Sequence, residues 1–387
     1  MARQRGTGAL LGAASMTAGR PAVWVSRAGA RGWRAPEVAL SPIGFHRSLP
    51  GYRPTPLAEI PELAAARGVA RVLVKDESDR LGLPAFKILG ASRAVERGLS
   101  PGNPSSGQAP AVSVLVAATE GSHGRAVARV ARRRGLAAHI LVPAGVHPAA
   151  VAAIAAEGAT ITRAGASYED AAALAAEYAR PGGRLLVRDV AWPGYGQVPA
   201  WIVAGDTTMF TEIDAQLEAS GAAPAGLVTV PVGAGSLAQA AVTHFRRPDI
   251  AHPPALMTVE PDSAACLLHS LDRDELTSVA TAATIMAGLN CATPSQGAWP
   301  CLRSGIDAAV AVTDTQAATA VCDLAGHGVP AGPCGAATLA AARVALTGAG
   351  SGERRARLGI TPASTIVLLS TESWSASPIR PADLRCA

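Results

Sequence analysis

Residues 74–92 read VKDESDRLGLPAFKILGAS, and the interpretation of the whole chain starts from Lys87 within this stretch. The 387-residue chain contains only two lysines, Lys75 and Lys87, against 32 arginines. An ε-amine can lose its proton and attack a carbonyl carbon, whereas a guanidinium cannot. Residues 84–86 and 88–89 are apolar, and desolvation lowers the pKa of an amine. We therefore expect Lys87 to have a depressed pKa and to form a Schiff base. A surface lysine without a special role is the alternative.

The composition limits the class of protein. Hydrophobic residues make up 49% of the chain and charged residues 16%, which is enough for a sizeable core and unlike a disordered chain. This length predicts two domains, or one large α/β unit with a smaller lobe. The net charge of +5 comes from residues 1–36, which carry six arginines and no acid. A basic tail on an ordinary body argues against a nucleic-acid-binding face. We expect a disordered extension there, with a targeting peptide as the alternative.

The cysteine pattern bears on compartment and metal binding. There is no CxxC pair and no Cys/His spacing typical of a metal site. Reduced, partly buried thiols in a cytoplasmic protein are the expectation. No apolar run reaches the length needed to cross a membrane. All six cysteines lie in the C-terminal third: Cys266, Cys291, Cys301, Cys322, Cys334 and Cys386.

Short apolar runs alternate along the chain with alanine-rich segments of helical length. This alternation predicts parallel βαβ units in an open, doubly wound sheet with both faces covered. Ligands bind at the carboxyl ends of the strands in such sheets. Residues 99–111 are rich in Pro, Gly and Ser and predict a boundary between lobes. The runs are 72–74, 112–117, 138–142, 160–163, 185–187, 227–232, 256–259, 309–312 and 365–369, and the helical segments lie around 61–68, 88–97, 124–135, 147–157 and 167–180.

Two loops that follow predicted strands have the composition of anion-binding sites. Residues 118–125, ATEGSHGR, open a helix whose first amides lack intrahelical acceptors. An ordinary βα turn is the alternative for this loop. Residues 233–237, GAGSL, lie between a strand and a helix, and their glycines let backbone amides converge on a phosphate. GAGSL also fits a Rossmann turn, although the full GxGxxG is absent.

Two further strand ends carry polar residues. Asp189 follows the run 185–187 and, taken alone, reads as a helix cap or salt-bridge partner. The last strand ends in Ser370 and Thr371, and a hydroxyl capping a strand end is the simplest interpretation of these residues.

Together, the lysine region, ATEGSHGR and GAGSL resemble the fold type II pyridoxal-phosphate (PLP) enzymes, in the family's order over about residues 43–374. The pattern DxxWxGYxxxPxW at residues 189–201 resembles the diaminopropionate ammonia-lyase branch in particular. The resemblance implies PLP as cofactor, covalently held by Lys87. It implies a phosphate site made of Gly233, Ala234, Gly235, Ser236 and Leu237.

The resemblance also implies roles around the substrate. Thr119, Gly121 and His123 belong to the loop that holds the substrate carboxylate in this family. Glu120 stands where the branch has an aspartate, an acid/base candidate. Ser122 stands where it has the asparagine that contacts the cofactor's 3-oxygen.

The remaining catalytic roles follow in the same way. Asp189 corresponds to the base for the L-substrate. Thr371, with Ser370 as the second choice, corresponds to the hydroxyl that faces the pyridine nitrogen. A neutral hydroxyl there does not keep the nitrogen protonated, which favours β-elimination over transamination. Asp206 stands where relatives are expected to have tyrosine, a third departure near the site.

For the whole chain the resemblance implies a two-domain α/β enzyme that acts as a homodimer on a small amino acid. Residues 37–98 and 206–387 would form the large PLP-binding domain, and residues 99–205 a smaller mobile one. The implied reaction is α,β-elimination of 2,3-diaminopropionate to pyruvate and ammonia. Cys266 and Cys291 fall where the branch often carries cysteines, so a disulfide is conceivable, although free thiols are the expectation.

Four alternatives stay open. Two are other activities of the same fold: a serine or threonine dehydratase and a β-replacement synthase. The third is a PLP-binding relative with altered or lost activity, because Glu120, Ser122 and Asp206 all depart from the branch. The fourth, a nicotinamide-dependent Rossmann oxidoreductase, explains the strand pattern but gives Lys87 no task.

Overall fold

The computed structural model describes residues 23–36, 42–100, 111–377 and 382. Over these residues the chain forms two β-sheets with helices packed on their faces. The strands are β1 (Trp24–Ser26), β2 (Leu57–Glu59), β3 (Arg71–Asp76), β4 (Val114–Ala118), β5 (Ala137–Val142), β6 (Thr160–Arg163), β7 (Arg184–Leu186), β8 (Leu227–Pro231), β9 (Ala255–Pro261), β10 (Ala308–Val312) and β11 (Thr365–Ser370). The helices are α1 (Ile43–Arg47), α2 (Pro61–Arg67), α3 (Ile88–Leu99), α4 (Ser122–Arg134), α5 (Pro148–Ala155), α6 (Tyr168–Tyr178), α7 (Gln197–Ala219), α8 (Ser236–Phe245), α9 (Cys266–Arg273), α10 (Trp299–Gly305), α11 (Asp314–Gly326), α12 (Pro333–Leu346) and α13 (Ser351–Leu358).

The strand order is β1-β10-β9-β8-β11-β3-β2 in the larger sheet and β6-β5-β4-β7 in the smaller one. Neighbouring strands are parallel throughout the smaller sheet and in the centre of the larger one. The predicted α/β fold with mostly parallel sheets is confirmed. Strands β1 and β2 pair antiparallel at the two edges of the larger sheet and were not predicted. Each is three residues long, too short to give an alternating pattern.

The central strands are mostly apolar because both faces of the larger sheet are covered. Every residue of β8, β9, β10 and β11 is buried. Along β3, Val72 and Val74 pack into one hydrophobic cluster and Leu73 packs into another. Burial of each such side chain stabilises the fold by roughly 1.5–3 kcal/mol. Uninterrupted apolar runs therefore identify these strands in the sequence.

Three sequence expectations need correction or lie beyond the described residues. The extension was expected to be disordered through residue 36, but residues 24–26 form β1 on the edge of the larger sheet. The proline-rich stretch 36–57 predicts an extended lead-in to the first ordered unit, but α1 forms within it. Residues 1–22 and 101–110 are outside the described part of the chain. Among the helices of the described residues, none combines the length and apolarity required to cross a membrane.

The helices α3 and α7 cross closely, and this crossing fixes the start of α3. A Cβ on Gly205 would lie 2.6 Å from the Leu89 carbonyl oxygen, and a Cβ on Gly90 would lie 2.6 Å from the Ile202 side chain. Only glycine allows such an approach without displacing the backbone. The apolar face of α3 packs into the core of the smaller sheet, alongside Leu115 of β4. The boundary predicted near residue 98 between the two domains stays a prediction.

Candidate active site

Lys87 lies at the start of α3, at the carboxyl edge of the larger sheet. The loop that leads to it from β3 runs beside the segment that leaves β11. The Phe86 amide donates to the Thr371 carbonyl (3.2 Å), and the Ser373 amide donates to the Pro84 carbonyl (2.9 Å). Because β3 and β11 are parallel neighbours, both segments emerge at the same edge. This is the edge at which ligands bind in open α/β sheets.

Asp189, which follows β7 of the smaller sheet, is paired with Lys87. The ammonium donates a hydrogen bond of 2.8 Å to Asp189 Oδ2, and the two side chains are 25% and 14% exposed. Burial opposes the charge on Lys87, but Asp189 outweighs it through its negative charge and its hydrogen bond and raises the pKa of Lys87. The predicted depression of this pKa is therefore wrong. The apolar residues next to Lys87 in sequence matter less than a carboxylate 102 positions away.

The ion pair with Lys87 also determines the protonation state of Asp189. Burial works against ionisation, but the positive charge of Lys87, with His123 nearby, lowers the pKa of Asp189. The carboxylate is thus ionised at neutral pH and can accept a proton only when Lys87 moves away or loses its charge. Asp189 is not the helix cap that its local sequence suggests.

Thr119 and His123 shape the loop that begins α4. Thr119 Oγ1 accepts hydrogen bonds from the amides of Gly121 (2.9 Å) and Gly124 (3.0 Å). The buried ring of His123 donates from Nε2 to the Val187 carbonyl (2.8 Å), which ties α4 to the end of β7. Thr119 therefore acts within the loop, whereas the first-turn amides of α4 have no intrahelical acceptors.

Glu120 and Ser122, the two departures in this loop, are less buried than Thr119 and His123. Ser122 is the first residue of α4 and is partly buried. Glu120 is exposed, and desolvation together with the neighbouring Glu169 raises the pKa of its carboxyl. Ser122 also lines an open cleft with Arg125 and with residues that precede Lys87.

The glycine loop between β8 and α8 is tightly enclosed. A Cβ on Gly233 would lie 2.8 Å from the Gly288 carbonyl oxygen, and Gly235 has φ of +101°. The Ala234 carbonyl accepts a hydrogen bond from the Ser295 amide, which fixes the loop against the segment that precedes α10. Ser236 and Leu237 begin α8, so their amides have no intrahelical acceptor, and the helix dipole favours an anion there.

Cys291 connects the glycine loop to the lysine pair. Its Sγ lies 3.4 Å from the position of a Cβ on Gly233. Its pKa is raised to about 12 by burial and by the charges of Asp189 and Glu120, opposed by Lys87. Cys291 therefore lies against the glycine loop and within the electrostatic influence of the Lys87–Asp189 pair and of Glu120. Cys266, Cys291, Cys301 and Cys334 are free thiols, as expected, whereas Cys322 is disulfide-bonded, against the expectation of six reduced thiols.

The two hydroxyls at the end of β11 differ in their contacts. Ser370 is fully buried and its Oγ has no hydrogen-bond partner within the described residues. Thr371 is 4% exposed, and its backbone carbonyl holds the segment before Lys87. A Cβ on Gly335 would meet the Thr371 amide nitrogen at 2.7 Å, so α12 packs closely on this turn. Both residues lie beside the segment that leads to Lys87, and the role of either hydroxyl toward a cofactor ring stays a prediction.

The sequence interpretation missed three residues around Asp189 and Lys87. Burial and the charge of Asp189 raise the pKa of Tyr168, the first residue of α6, to about 12. Arg188 lies 5.5 Å from the Tyr168 ring. The Glu372 carboxyl is buried near Lys87, and burial raises its pKa. Tyr168 and Glu372 each follow a parallel strand, so the rule about carboxyl ends of strands could have found them.

Asp206 is placed in α7, on the side that faces α3. It is 1% exposed, and neither carboxyl oxygen has a hydrogen-bond partner within the described residues. An ionised carboxylate buried without a partner costs several kcal/mol or more. Protonating an ordinary aspartate at pH 7 costs about 4 kcal/mol. Burial, only partly offset by Lys87, raises the pKa of Asp206 well above its ordinary value.

The lysine faces a carboxylate at the carboxyl edge of a parallel sheet, and a glycine loop lies nearby. This arrangement suits a phosphorylated carbonyl cofactor. It is typical of the two-sheet α/β enzymes that hold such a cofactor on a lysine. Residues 48–371 match the family model "Pyridoxal-phosphate dependent enzyme", and the chain belongs to this family.

Comparison with individual relatives shows which branch of the family this chain is similar to. Over 294 residues the chain is 34% identical to the diaminopropionate ammonia-lyase of Salmonella typhimurium, covering 71% of this chain and 72% of that protein. The crystal structure of the Escherichia coli diaminopropionate ammonia-lyase with an aminoacrylate-PLP azomethine intermediate superimposes with a TM-score of 0.80 at 29% identity, covering 91% and 94% of the two chains. The L-threonine ammonia-lyase of Geobacter sulfurreducens is 25% identical over 63% of this chain and 58% of that protein.

The residues present fit pyridoxal phosphate. The amides at the start of α8 suit its phosphate, and the glycine loop leaves no room for a side chain at Gly233. The Ser370 hydroxyl is buried without a partner and can bond a ring nitrogen. Lys87 is accessible enough to react, at 25% exposure.

Proposed function

We propose that this chain catalyses the α,β-elimination of 2,3-diaminopropionate to pyruvate and ammonia, with Lys87 as the cofactor lysine. The observation that carries the proposal is the Lys87–Asp189 pair, 2.8 Å long, beside the glycine loop. It is supported by the similarity to diaminopropionate ammonia-lyases. When bound, pyridoxal phosphate would supply the carbonyl that Lys87 attacks and the conjugated ring that accepts electrons from the substrate.

The chain's own groups would supply binding and proton transfer. Residues 233–237 would hold the phosphate. The amides at the start of α4, with Ser122 nearby, would hold the substrate carboxylate. Asp189 is held ionised by Lys87 and would take the α-proton of the L-substrate once Lys87 is released from its ion pair. A hydroxyl at the end of β11, that of Thr371 or, as the second choice, that of Ser370, would donate to the ring nitrogen.

A diamino acid suits this site because its leaving group needs a proton. The β-amino group departs as ammonia only after protonation, so the site requires a general acid. The pKa of Glu120 is raised by desolvation and by Glu169, which makes this carboxyl a better proton carrier than an ordinary glutamate. We assign Glu120 the role of the second acid/base group, and of the base for the D-enantiomer.

Elimination of water from serine or threonine is the second candidate, favoured by the similarity to an L-threonine ammonia-lyase. Diaminopropionate yields two ammonia molecules for each pyruvate, whereas serine yields one. The test therefore measures pyruvate, 2-oxobutyrate and ammonia from the purified, PLP-loaded chain with each amino acid at equal concentration. A higher kcat/KM for diaminopropionate, with the doubled ammonia yield, is expected. Turnover of threonine alone would overturn the assignment.

The two acids provide a matched pair of variants. We expect D189N to lower kcat for L-diaminopropionate by roughly 10²–10⁴-fold and E120Q to lower kcat chiefly for the D-enantiomer. Equal losses for both enantiomers in both variants would contradict the division of roles. We also propose that the chain is a homodimer, as the family resemblance implies, and light scattering after gel filtration tests this directly. The cytoplasmic location expected from the cysteine pattern stays a proposal.

A further inference from the structure

Asp206 has a buried carboxyl close to Lys87, the candidate cofactor lysine. The proposed reaction gives this carboxyl no role. It lies on α7 at the crossing with α3, where its Oδ1 is 2.8 Å from the position of a Cβ on Gly90. Gly90 is in the first turn of α3, three residues after Lys87. Asp206 therefore packs directly against the turn that carries the lysine.

The groups around Asp206 leave it without a charged bonding partner within the described residues, and the donor that favours its ionised form is the Gly90 backbone amide, which is outside normal hydrogen-bond geometry. Lys87 has a direct hydrogen bond with Asp189, and Asp206 feels the charges of Lys87, Asp189 and Glu77 only at a distance. From α1, the ring of His46 is bonded to the Leu89 carbonyl and to Thr208.

The remaining neighbours are also occupied. Arg93 of α3 packs on Gly205 and bonds Glu96. Glu77 is bonded to Arg80 and Thr55. No neighbouring cation thus contacts Asp206 within the described residues.

We propose that Asp206 is a positioning residue of the Lys87 site, a carboxylic acid that keeps its proton in the folded protein and fills the gap between α7 and the first turn of α3. The functional meaning rests on the proposed role of Lys87. A neutral Asp206 leaves Asp189 as the carboxylate that balances the lysine. The anionic phosphate and the substrate carboxylate then meet a site without an additional negative charge.

This protonation has a direct spectroscopic consequence. The carbonyl stretch of a neutral carboxylic acid is well separated in the infrared from the bands of a carboxylate. We expect the difference spectrum of the wild-type chain minus D206N at about pH 7.5 to contain that neutral-acid band. A difference spectrum with only carboxylate bands overturns the proposal, whatever the enzyme's substrate is.

The charge of Lys87 provides a second measurement. The chain has two lysines, so acetylation by limiting acetic anhydride followed by mass spectrometry reports both in one sample, and protection of the fully buried Lys75 verifies that the variant is folded. At fixed pH, a tenfold change in labelling rate corresponds to one unit of lysine pKa. We expect D206N to change the Lys87 rate by less than about twofold, whereas D189N raises it by about tenfold or more.

The alternative gives a different pattern. If Asp206 were ionised, D206N would remove a negative charge near Lys87 and raise its labelling rate by about tenfold as well. D206A, neutral and smaller, serves if D206N fails to fold. Both measurements use the PLP-free full-length chain, so a failure of Lys87 to bind the cofactor would appear separately, as absence of the visible chromophore in the loaded protein.

Discussion

The two lysines of this chain lie in opposite kinds of environment. Lys75, in β3, is fully buried, and its ammonium donates three hydrogen bonds, to the Thr55 carbonyl (2.8 Å), Glu212 Oε2 (2.7 Å) and Gln216 Oε1 (2.8 Å). An ammonium has three N–H groups, so Lys75 has none left. Lys87 is 25% exposed and makes one such bond within the described residues, to Asp189.

The surroundings of Lys75 extend the contrast. Arg80, also fully buried, bonds both oxygens of Glu77 and both oxygens of Glu212. Burial works against ionisation of Glu212, but Arg80 and Lys75 lower its pKa to about 2. A charge network in which every donor has an acceptor is rigid and has no capacity for a ligand. The comparison shows that a reactive lysine needs N–H groups free of protein acceptors and access to solvent. Lys87 has both, and Lys75 has neither.

The first prediction tests the reactive half of this comparison. We expect K87A to lower kcat by at least about 10⁴-fold, because the covalent route to the cofactor is removed. K87R is the matched control: it keeps the charge opposite Asp189 but cannot attack a carbonyl. Assays of pyruvate formation and the visible spectrum after gel filtration measure both effects. K87A that retains its chromophore and its turnover would refute the assignment of the lysine.

The second prediction tests the structural half. K75M leaves the Glu212 and Gln216 oxygens without their ammonium, and we expect it to lower the free energy of unfolding by about 3 kcal/mol or more. Urea titration followed by circular dichroism provides the measurement. The remaining folded protein should still bind PLP through Lys87.

Two companion variants sharpen this test. In K75M/E212Q the unpaired charge is gone, so the loss should be smaller than for K75M. R53A removes an exposed ion pair with Asp79 next to the network and should cost no more than about 1 kcal/mol. If K75M costs as little as R53A, the network is not the stabilising element that its geometry indicates.

The sequence alone predicts the local parts of this structure well. The strands from β3 to β11 fall within about two residues of the apolar runs, because burial on both faces requires continuous apolar residues. The lysine, the glycine loop, Asp189 and the terminal hydroxyls are each visible as short motifs. Each such motif follows a strand, and parallel strands bring their ends to one edge.

What the sequence does not predict depends on residues that are distant along the chain. The pKa of Lys87 is set by Asp189, 102 positions later, and not by its apolar neighbours. Lys75 is as rare as Lys87 in composition, but its role depends on Glu212, 137 positions away. Asp206 carries no local signal either, because its isolation results from the packing of α7 on α3. The rarity of lysine therefore points to both Lys75 and Lys87, but it does not tell the buried structural lysine from the reactive one.

The third and smallest effect concerns His46, which connects the two regions. Its buried ring contacts α3 through the Leu89 carbonyl (3.0 Å) and α7 through the Thr208 hydroxyl (2.7 Å), and α7 carries both Asp206 and Glu212. Burial lowers the pKa of His46 from 6.5 to about 4. The folded chain therefore binds fewer protons here than the unfolded chain between about pH 6.5 and pH 4. Stability should fall by up to about 3 kcal/mol as the pH decreases through this window.

H46Q isolates this contribution because glutamine does not titrate. We expect it to be less stable than the wild type at pH 7, by about 1–3 kcal/mol for the lost buried contacts, but to show a flatter profile from pH 6.5 to pH 4. The Glu212 carboxylate stabilises the fold above about pH 4.5, and this stabilisation is lost as the pH falls from about 4.5 to about 2, in stronger acid than the loss due to His46. Urea titrations at several pH values, with exposed His252 changed to Gln as control, separate the two windows. An H46Q profile as steep as that of the wild type would mean that the ring is protonated in the folded chain, and that a charged imidazole lies between the lysine site and the buried network.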